Sequence, residues 1–456
     1  MLLPKSRKLW GWAAYYWGNH AYTTSIITVF FPIFFREYWD HGASITLTTF
    51  RLGLANSIAS LVVALSAPVL GAIADSGGHK KRFLITTAFL GAVMVLALHF
   101  VQRGEWQWAW LFYVIASICY WWGNVFGDSM LVSVAPPGKL DMTSAIGYFA
   151  GYLGGGLFLI VGVVLSLKPQ WFGLDNAAAA VKVILILTSI WWVAFSLPLL
   201  FWVPEPHKPA KKQSLWPTAK AGVAQLAETF RHVRAYKPVF MFLIAYWVYI
   251  DGVNTIIQMA VDYGQAIGFT TTNLILAVLL VQFVGVPAAL LFGRLGERIG
   301  PKIMIFIGLA VYVCVTVFAA FMHKSPGATE FAMSIGLNRG IAELLGAWEF
   351  FLLAIMVGLV QGGVQLLSRS YYARLVPVER AGEFFGFYNM LGEFAAIIGP
   401  FLIGIVSYLS GDPRISILSV ILLFAVGAVL LALVDGRAGQ GMPGLPAELG
   451  TGRPRT

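Results

Sequence analysis

Two distant segments, Gly71-Ala-Ile-Ala-Asp75-Ser-Gly-Gly78-His-Lys80 and Gly293-Arg-Leu-Gly-Glu297-Arg-Ile-Gly300-Pro-Lys302, decide the fold of this chain. Glycine, acid, glycine and base recur in the same order and at the same spacing in both. A small residue lets a helix end approach its neighbour, an acid can cap the next helix, and a second glycine turns the chain. A generic basic turn is the alternative interpretation, but both segments follow the second apolar run of a set of six. The repeat therefore predicts an internal duplication.

Apolar runs surround these segments along the whole chain. The composition is 58% hydrophobic and only 11% charged, whereas an ordinary soluble domain is about 25% charged. A helix needs about 20 apolar residues to cross the hydrocarbon core of a bilayer. The sequence therefore predicts an all-α integral membrane protein with twelve transmembrane helices in two parallel six-helix repeats, near 10–35, 49–73, 83–101, 108–133, 144–167, 180–202, 238–261, 273–293, 302–321, 348–368, 383–409 and 414–434.

The connections between the runs predict the domains and the orientation. Lys and Arg are concentrated in the connections that share a side with both termini, so the sequence indicates a multi-pass protein of the cytoplasmic (inner) membrane with both termini cytoplasmic. The net charge of +10 is explained in the same way, and nucleic acid is not expected as a partner. The predicted domains are an N-terminal half over 1–202, a basic linker with an interfacial helix over 203–237, a C-terminal half over 238–434 and a disordered tail over 435–456.

Polar residues recur on one face of the first, fourth, seventh and tenth runs. An uncompensated polar group in hydrocarbon costs several kcal/mol, so such a face should look toward a cavity or another helix. The candidate lining of a substrate cavity is therefore Tyr16, Asn19, His20, Thr23, Asn124, Asp128, Asp251, Asn254, Thr255, Gln258, Gln361 and Gln365.

Three acids inside the runs are candidates for proton coupling: Asp251, Asp128 and Glu393. Asp251 is the foremost, because surroundings of low polarity disfavour the charged form of a carboxyl and so favour binding and release of a proton near neutral pH. A structural carboxyl that hydrogen-bonds a neighbouring helix and a direct contact with substrate are the alternatives. Asp128 lies near the end of its run, where a gate or a packing role is expected equally.

Motifs of catalysis and of metal binding are missing from the sequence. It contains no His-Glu-x-x-His, no Gly-x-Ser-x-Gly and no phosphate-binding loop, which argues against an enzyme and against a built-in ATP motor. Cys119 and Cys314 lie in separate apolar runs without metal-ligand spacing. We therefore expect neither a metal nor a cofactor.

The paired segments resemble the signature of the major facilitator superfamily. Ala21-Tyr-Thr-Thr-Ser-Ile-Ile-Thr-Val-Phe-Phe-Pro32, Tyr246-Trp-Val-Tyr-Ile-Asp251-Gly-Val-Asn254 and Gly362-Gly-Val-Gln365-Leu-Leu-Ser-Arg369-Ser370 resemble its vacuole-effluxer-like branch, named for autophagy-related fungal amino-acid exporters, in its bacterial form. The resemblance implies that helices 1, 4, 7 and 10 line the cavity, the same four that the polar faces mark. It also implies that the repeated segments act as conformational loops, through Gly71, Asp75, Gly78, Lys80, Gly293, Glu297, Gly300 and Lys302.

The function that the resemblance implies is secondary transport of a small organic solute by alternating access, with proton-coupled efflux of amino acids or related metabolites as its specific form. A monomer in the lipid bilayer, with a small-molecule substrate and protons as its partners, is expected. A flippase for lysolipids or other amphiphiles on the same fold is the alternative, and a non-transporting membrane sensor is a third.

Overall fold

The structure, a computed structural model, describes residues 6–43, 45–77, 79–205, 231, 233–234, 236–266, 269, 271–322, 326–336, 338–395, 398–410 and 413–434. Most of the predicted linker, the tail 435–456 and Gly78 lie outside these residues. The structure describes the backbone of Asp75, Gln258 and Glu393 but not their side chains.

The N-terminal half is built of long helices joined by short connections. Its first helix begins as an α-helix and widens into π-helical turns, with one helical turn at Phe31–Phe34 between them. The helix Trp106–Ser129 is extended by a turn at Leu131–Val134. The bounds are α1 Arg7–Ala21, continued by the π-helical segments Tyr22–Phe30 and Phe35–Trp39, then α2 Ile45–Gly77, α3 Lys80–Phe100, α4 Trp106–Ser129, α5 Leu140–Leu167 and α6 Ala177–Trp202.

The C-terminal half repeats this plan, with breaks in its last two passages. Two short helices, Pro326–Ser334 and Arg339–Gly346, lie in the connection before its fourth long helix. The bounds are α7 Lys237–Ala266, α8 Thr271–Ile299, α9 Pro301–Phe321, α10 Trp348–Leu375, α11 Ala381–Phe394, α12 Ile398–Ser410, α13 Pro413–Leu418 and α14 Ile421–Ala432.

Nine helical segments within the described residues are long and apolar enough to cross a membrane. The other three predicted spans correspond to α1 with its π-helical continuation, to α2, and to α11 followed by α12. The all-helical membrane fold is confirmed, and the number twelve stays a prediction. Of the two thiols, Cys119 is buried and Cys314 is exposed.

In each half, a lysine donates hydrogen bonds to carbonyl oxygens at the end of that half's last helix. Lys81 Nζ donates to the carbonyl oxygens of Leu200 and Val203, at 3.1 and 2.9 Å. Lys302 Nζ donates in the same way to those of Ala432 and Val434, at 3.1 and 2.7 Å, which satisfies carbonyls that a helix end leaves unpaired. The counterpart of Lys302 in this role is therefore Lys81, one residue beyond the Lys80 that the sequence repeat selects.

These lysines lie at the end of the bundle that also carries the start of α1, the end of α6 and the end of α14, which we call the termini face. At this face the two halves meet through glycines of the repeated segments. A Cβ added at Gly71 would overlap the backbone carbonyl oxygen of Gly382 in α11, and a Cβ added at Gly293 would overlap Ala145 in α5. Gly300 has a φ of 101°, the turn that the repeat predicts.

Candidate functional site

A cavity of about 450 Å³ lies between the two halves. It is lined by α1 with its π-helical continuation, α4 and α5 of the N-terminal half and by α7, α8, α10 and α11 of the C-terminal half. The structure brings together, from the predicted lining, Tyr16, His20, Thr23, Asn124, Asp128, Asn254, Gln361 and Gln365.

Asn19 lies behind this wall rather than on it. Its side chain is buried, and its Nδ2 donates to Asn124 Oδ1 at 2.8 Å. Its Oδ1 is 2.9 Å from Nδ1 of His20. Asn19 therefore orients two cavity residues and does not face the cavity itself.

The end of the cavity nearest the termini face is a charged floor made by Asp128 of α4 and Arg369 of α10. Arg369 Nη1 donates to Asp128 Oδ1 at 2.8 Å, and the Tyr16 hydroxyl donates to the same oxygen at 2.6 Å. Asn389 Nδ2 lies 3.4 Å from the other oxygen, Oδ2. The Arg369 side chain is 3% exposed, so this ion pair between the halves is removed from water.

Further groups of the N-terminal half surround the Arg369 guanidinium. Its Nε donates to Ser144 Oγ and its Nη2 to the Ser144 carbonyl oxygen, both at 2.9 Å. The rings of Tyr148, Tyr16 and Trp12 lie 4.6, 5.1 and 5.3 Å from its carbon Cζ, within the range of cation–π attraction. The side chain of Arg369, which belongs to the C-terminal half, is thus surrounded by polar and aromatic groups of the N-terminal half.

Sequence reasoning did not select Arg369 as a site residue. The sequence does contain a pattern that indicates Arg369, because Gln361, Gln365 and Arg369 follow one another at intervals of four residues and therefore share a face of α10. Tyr148, Tyr152, Tyr246 and Tyr388 also line the cavity without having been predicted. Tyr148 and Tyr152 are likewise four residues apart and share a face of α5, whereas Tyr246 and Tyr388 stand in different runs.

Two more ion pairs join the halves between the floor and the termini face. Arg374 Nη2 donates to Asp141 Oδ2 at 2.6 Å, and Ser370 Oγ donates to the other oxygen, Oδ1, at 2.6 Å. Nearer the surface, Lys139 Nζ donates to Glu297 Oε2 at 2.7 Å. With the floor pair and the glycine contacts, these pairs close the termini face.

Asp251, the acid that the sequence singles out, does not line the cavity. It is fully buried, and its Oδ2 and Oδ1 accept hydrogen bonds from the backbone N–H groups of Ile398 and Gly399, at 3.0 and 2.8 Å. Thr255 is buried beside it, with Oγ1 3.3 Å from Asp251 Oδ1. The polar face of α7 therefore looks partly toward α12, because the break before α12 leaves N–H groups that need acceptors within the bilayer.

The remaining cavity wall differs between the halves. The N-terminal half contributes hydroxyls and rings, including those of Thr24, Thr28, Tyr120 and Tyr152. The C-terminal half contributes an apolar wall from α8 and α10, formed by Leu274, Ala277, Val278, Val281, Leu353 and Val357. The cavity is thus charged at its floor and apolar along one side.

Two halves around one central cavity, closed at one face by contacts between the halves, define a transporter of the major facilitator class. Solved structures share this fold. The proton:xylose symporter XylE aligns with a TM-score of 0.64 at 13% identity, over 95% of each chain. The human organic anion transporter MFSD10 aligns with a TM-score of 0.66 at 15% identity, over 94% of this chain and 100% of its own.

The chain belongs to the vacuole effluxer Atg22-like family, whose model matches residues 41–136 and 138–441. It is 34% identical to the uncharacterized MFS-type transporter YxiO of Bacillus subtilis, over 93% of this chain and 94% of the relative. It is 24% identical to autophagy-related protein 22 of Saccharomyces cerevisiae, over 94% of this chain and 92% of the relative. The chain is therefore a multi-pass membrane protein of a transporter family and not an enzyme.

Proposed function

We propose that this protein is a secondary transporter that exports a small zwitterionic solute of the amino-acid type by alternating access. The observation that carries the proposal is the buried Asp128–Arg369 ion pair, which joins the two halves at the floor of the central cavity. Parallel six-helix repeats place a solute site at their interface and expose it to one side at a time by rocking. The family name, vacuole effluxer, supports export as the direction.

Alternating access requires the termini face to open, which means separating the ion pairs that cross it, of which the described residues form three. These are Asp128–Arg369, Asp141–Arg374 and Glu297–Lys139. Separation of a buried pair leaves two desolvated charges, which costs several kcal/mol unless other charges replace the lost partners. A solute that carries both charges provides that replacement.

The cavity is suited to a solute with a carboxylate, an amino group and an apolar side chain. The guanidinium of Arg369 presents a planar set of donors that matches a carboxylate, and Asp128 is an acceptor for an ammonium group. With both groups of the solute at the floor, its side chain lies along the apolar wall of α8 and α10. The solute then separates the floor pair while every buried charge keeps a partner.

Asp128 is also the acid that we propose for proton coupling, in place of Asp251, because it is the one that lines the cavity. A proton on Asp128 removes the charge that holds Arg369 and so favours opening of the floor. The side chain of Glu393, the third acid proposed from the sequence, lies outside the described residues.

Asp128→Asn is expected to lose stimulation of transport by a pH gradient. A hydrogen bond to a charged group contributes about 1.5–3 kcal/mol, so the apparent affinity for the solute should fall roughly 10- to 100-fold. The measurement is transport by the purified protein in proteoliposomes with and without an imposed gradient. Asp175→Asn, the same chemical change at an exposed acid between α5 and α6, is the matched control. A gradient response that survives in Asp128→Asn contradicts the proton role.

Transport of a solute panel by the reconstituted protein tests the function itself. Radiolabelled neutral, acidic and basic amino acids should be compared with their decarboxylated and N-acetylated analogues. The proposal expects that removal of either charge abolishes transport and that neutral amino acids with apolar side chains are favoured. Failure of every zwitterion to move down its own gradient would overturn it.

The apolar wall also favours a second candidate, an amphiphile such as a lysolipid, with its headgroup at the floor and its acyl chain along α8 and α10. Competition distinguishes the two functions. Inhibition of zwitterion transport by neutral amino acids and not by lysolipids supports the first, and the reverse result supports the flippase.

A further inference from the structure

We infer that Asp251 and Asn254 of α7 form a clasp about which α11 pivots during transport, so that Asp251 is a positioning residue of the gate. The inference rests on the alternating access proposed above. It starts from the passage formed by α11 and α12. The first helix of this passage ends at Phe394, where Ala395 leaves the helical conformation with a ψ of 68°, and α12 begins at Ile398.

The break leaves polar backbone groups inside the bilayer, and one face of α7 satisfies groups on both sides of it. The Asp251 carboxylate accepts hydrogen bonds from the N–H groups of Ile398 and Gly399, the first two residues of α12. Asn254 Nδ2 donates to the carbonyl oxygen of Ala395 at the end of α11, at 2.6 Å. Residues three apart on a helix share a face, so two neighbouring side chains hold two separate helix ends.

The local sequence explains why the passage breaks here and stays close to α7. Pro400 is the third residue of α12, in the first turn, where its missing N–H group costs nothing, whereas within a continuous helix it would remove a hydrogen bond. Gly399 lies directly against α7, and a Cβ there would overlap Thr255 Oγ1. The clasp therefore depends on a proline that starts α12 and a glycine that admits close contact.

The segment on one side of the break carries the closing contacts. In α11, Gly382 meets Gly71 of the other half, Asn389 reaches Asp128 at the floor, and Tyr388 lines the cavity. When the termini face opens, α11 must leave α2 and α4. A break held at both ends lets α11 tilt while α12 keeps its place, without exposing unpaired N–H or carbonyl groups to lipid.

Distances between spin labels on the full-length protein in lipid nanodiscs test the pivot. The labels are placed on cysteines that replace Arg82 of α3, Arg380 just before α11 and Leu409 near the end of α12, whose side chains are 74%, 40% and 77% exposed. The natural cysteines are replaced by serine. Lys139→Glu, which sets a like charge opposite Glu297, is combined with Gly293→Ala, whose methyl would overlap Ala145 of the other half, to open the termini face.

The pivot predicts that both the 82–380 and the 380–409 distances change when Lys139→Glu and Gly293→Ala are introduced together. A helix of 14 residues is about 21 Å long, so a tilt of about 15° moves its far end sideways by about 5 Å. The 380–409 distance changes by less than this, because Leu409 lies on α12 of the same passage. A change in 82–380 with a constant 380–409 distance means that the C-terminal half moves as one body, which overturns the pivot and leaves alternating access standing. No change in either distance contradicts both proposals.

Isosteric substitutions then test the clasp. Asp251→Asn sets an amide against two backbone donors, and Asn254→Asp sets a carboxylate against the Ala395 carbonyl. Each should broaden the 380–409 distance distribution and lower the maximal transport rate severalfold. Asp251→Asn, at a residue that does not line the cavity, should leave KM nearly unchanged. Residual transport should keep its response to a pH gradient. Thr188→Val, which removes a buried hydroxyl bonded to the carbonyl of Ile184 in α6, is the control and should behave as wild type.

The outcome for Asp251→Asn separates the two roles of this acid. A narrow 380–409 distribution together with loss of the pH-gradient response overturns the clasp and restores the proton role. If Asp251→Asn does not fold, Asn254→Asp decides the question, and a wild-type distance distribution in that variant overturns the clasp.

Discussion

Arg369→Gln is expected to abolish transport and to destabilise the protein in the same step. The substitution leaves Asp128 as a buried carboxylate without its cation, and removal of one partner of a buried ion pair typically costs about 3–5 kcal/mol. It also removes the donors for a solute carboxylate, so transport should fall by at least about 100-fold. The measurements are solute transport in proteoliposomes and thermal unfolding of the purified protein.

A double variant separates these two losses. Asp128→Asn combined with Arg369→Gln removes both charges, so stability should recover substantially while transport stays absent. Arg380→Gln, at an arginine whose side chain is 40% exposed, is the control and should change neither quantity. Transport near the wild-type rate in Arg369→Gln contradicts the assignment of the floor as the solute site.

Gly71→Ala is expected to prevent the termini face from closing, although it adds only one methyl group. That methyl would overlap the carbonyl oxygen of Gly382, a backbone atom that cannot rotate away, so α2 and α11 must separate. Separation at this point also strains the pairs near the floor. Transport should fall at least about tenfold, equivalent to about 1.4 kcal/mol, while the protein remains folded.

The state of the termini face is read by the 82–380 label distance, which should lengthen in Gly71→Ala. Gly293→Ala should act in the same direction, because its methyl would overlap Ala145 of the other half. Gly156→Ala is the matched control, since a Cβ there meets Gln282 at an ordinary 3.6 Å. An unchanged distance and wild-type transport in Gly71→Ala would show that the glycine contact does not help to close the termini face.

Much of the architecture could be predicted from the sequence, because repeated local patterns of residues determine the helices and their duplication. The apolar runs indicate the helices, and the two copies around Gly71 and Gly293 indicate the duplication. A polar face at helical spacing indicates that a helix needs a polar neighbour or a cavity. This reasoning placed Tyr16, His20 and Asn124 on the cavity, where the structure has them.

The same patterns do not identify the neighbour that a polar face meets. Asp251 and Asn19 belong to polar faces, yet one caps α12 and the other supports Asn124. The acceptor role of Asp251 depends on a break in a distant passage, which only the packed structure reveals. The pairing of Arg369 with Asp128 is likewise a property of the assembled halves, since no local spacing connects them.

Three ion pairs of the described residues cross the termini face, and they differ in their contact with water. Ionic strength should therefore affect them unequally. Lys139 is 44% exposed, whereas Arg369 is 3% exposed. Dissolved salt screens exposed charges and reaches buried ones poorly. Raising the salt concentration should therefore weaken the Lys139–Glu297 pair most, and the Asp141–Arg374 pair, whose arginine is 29% exposed, less. Loss of the Lys139–Glu297 pair should favour opening by no more than about 1 kcal/mol, the upper range for a surface pair. The Asp128–Arg369 pair should therefore hold the termini face closed to nearly the same extent at low and at high salt concentration.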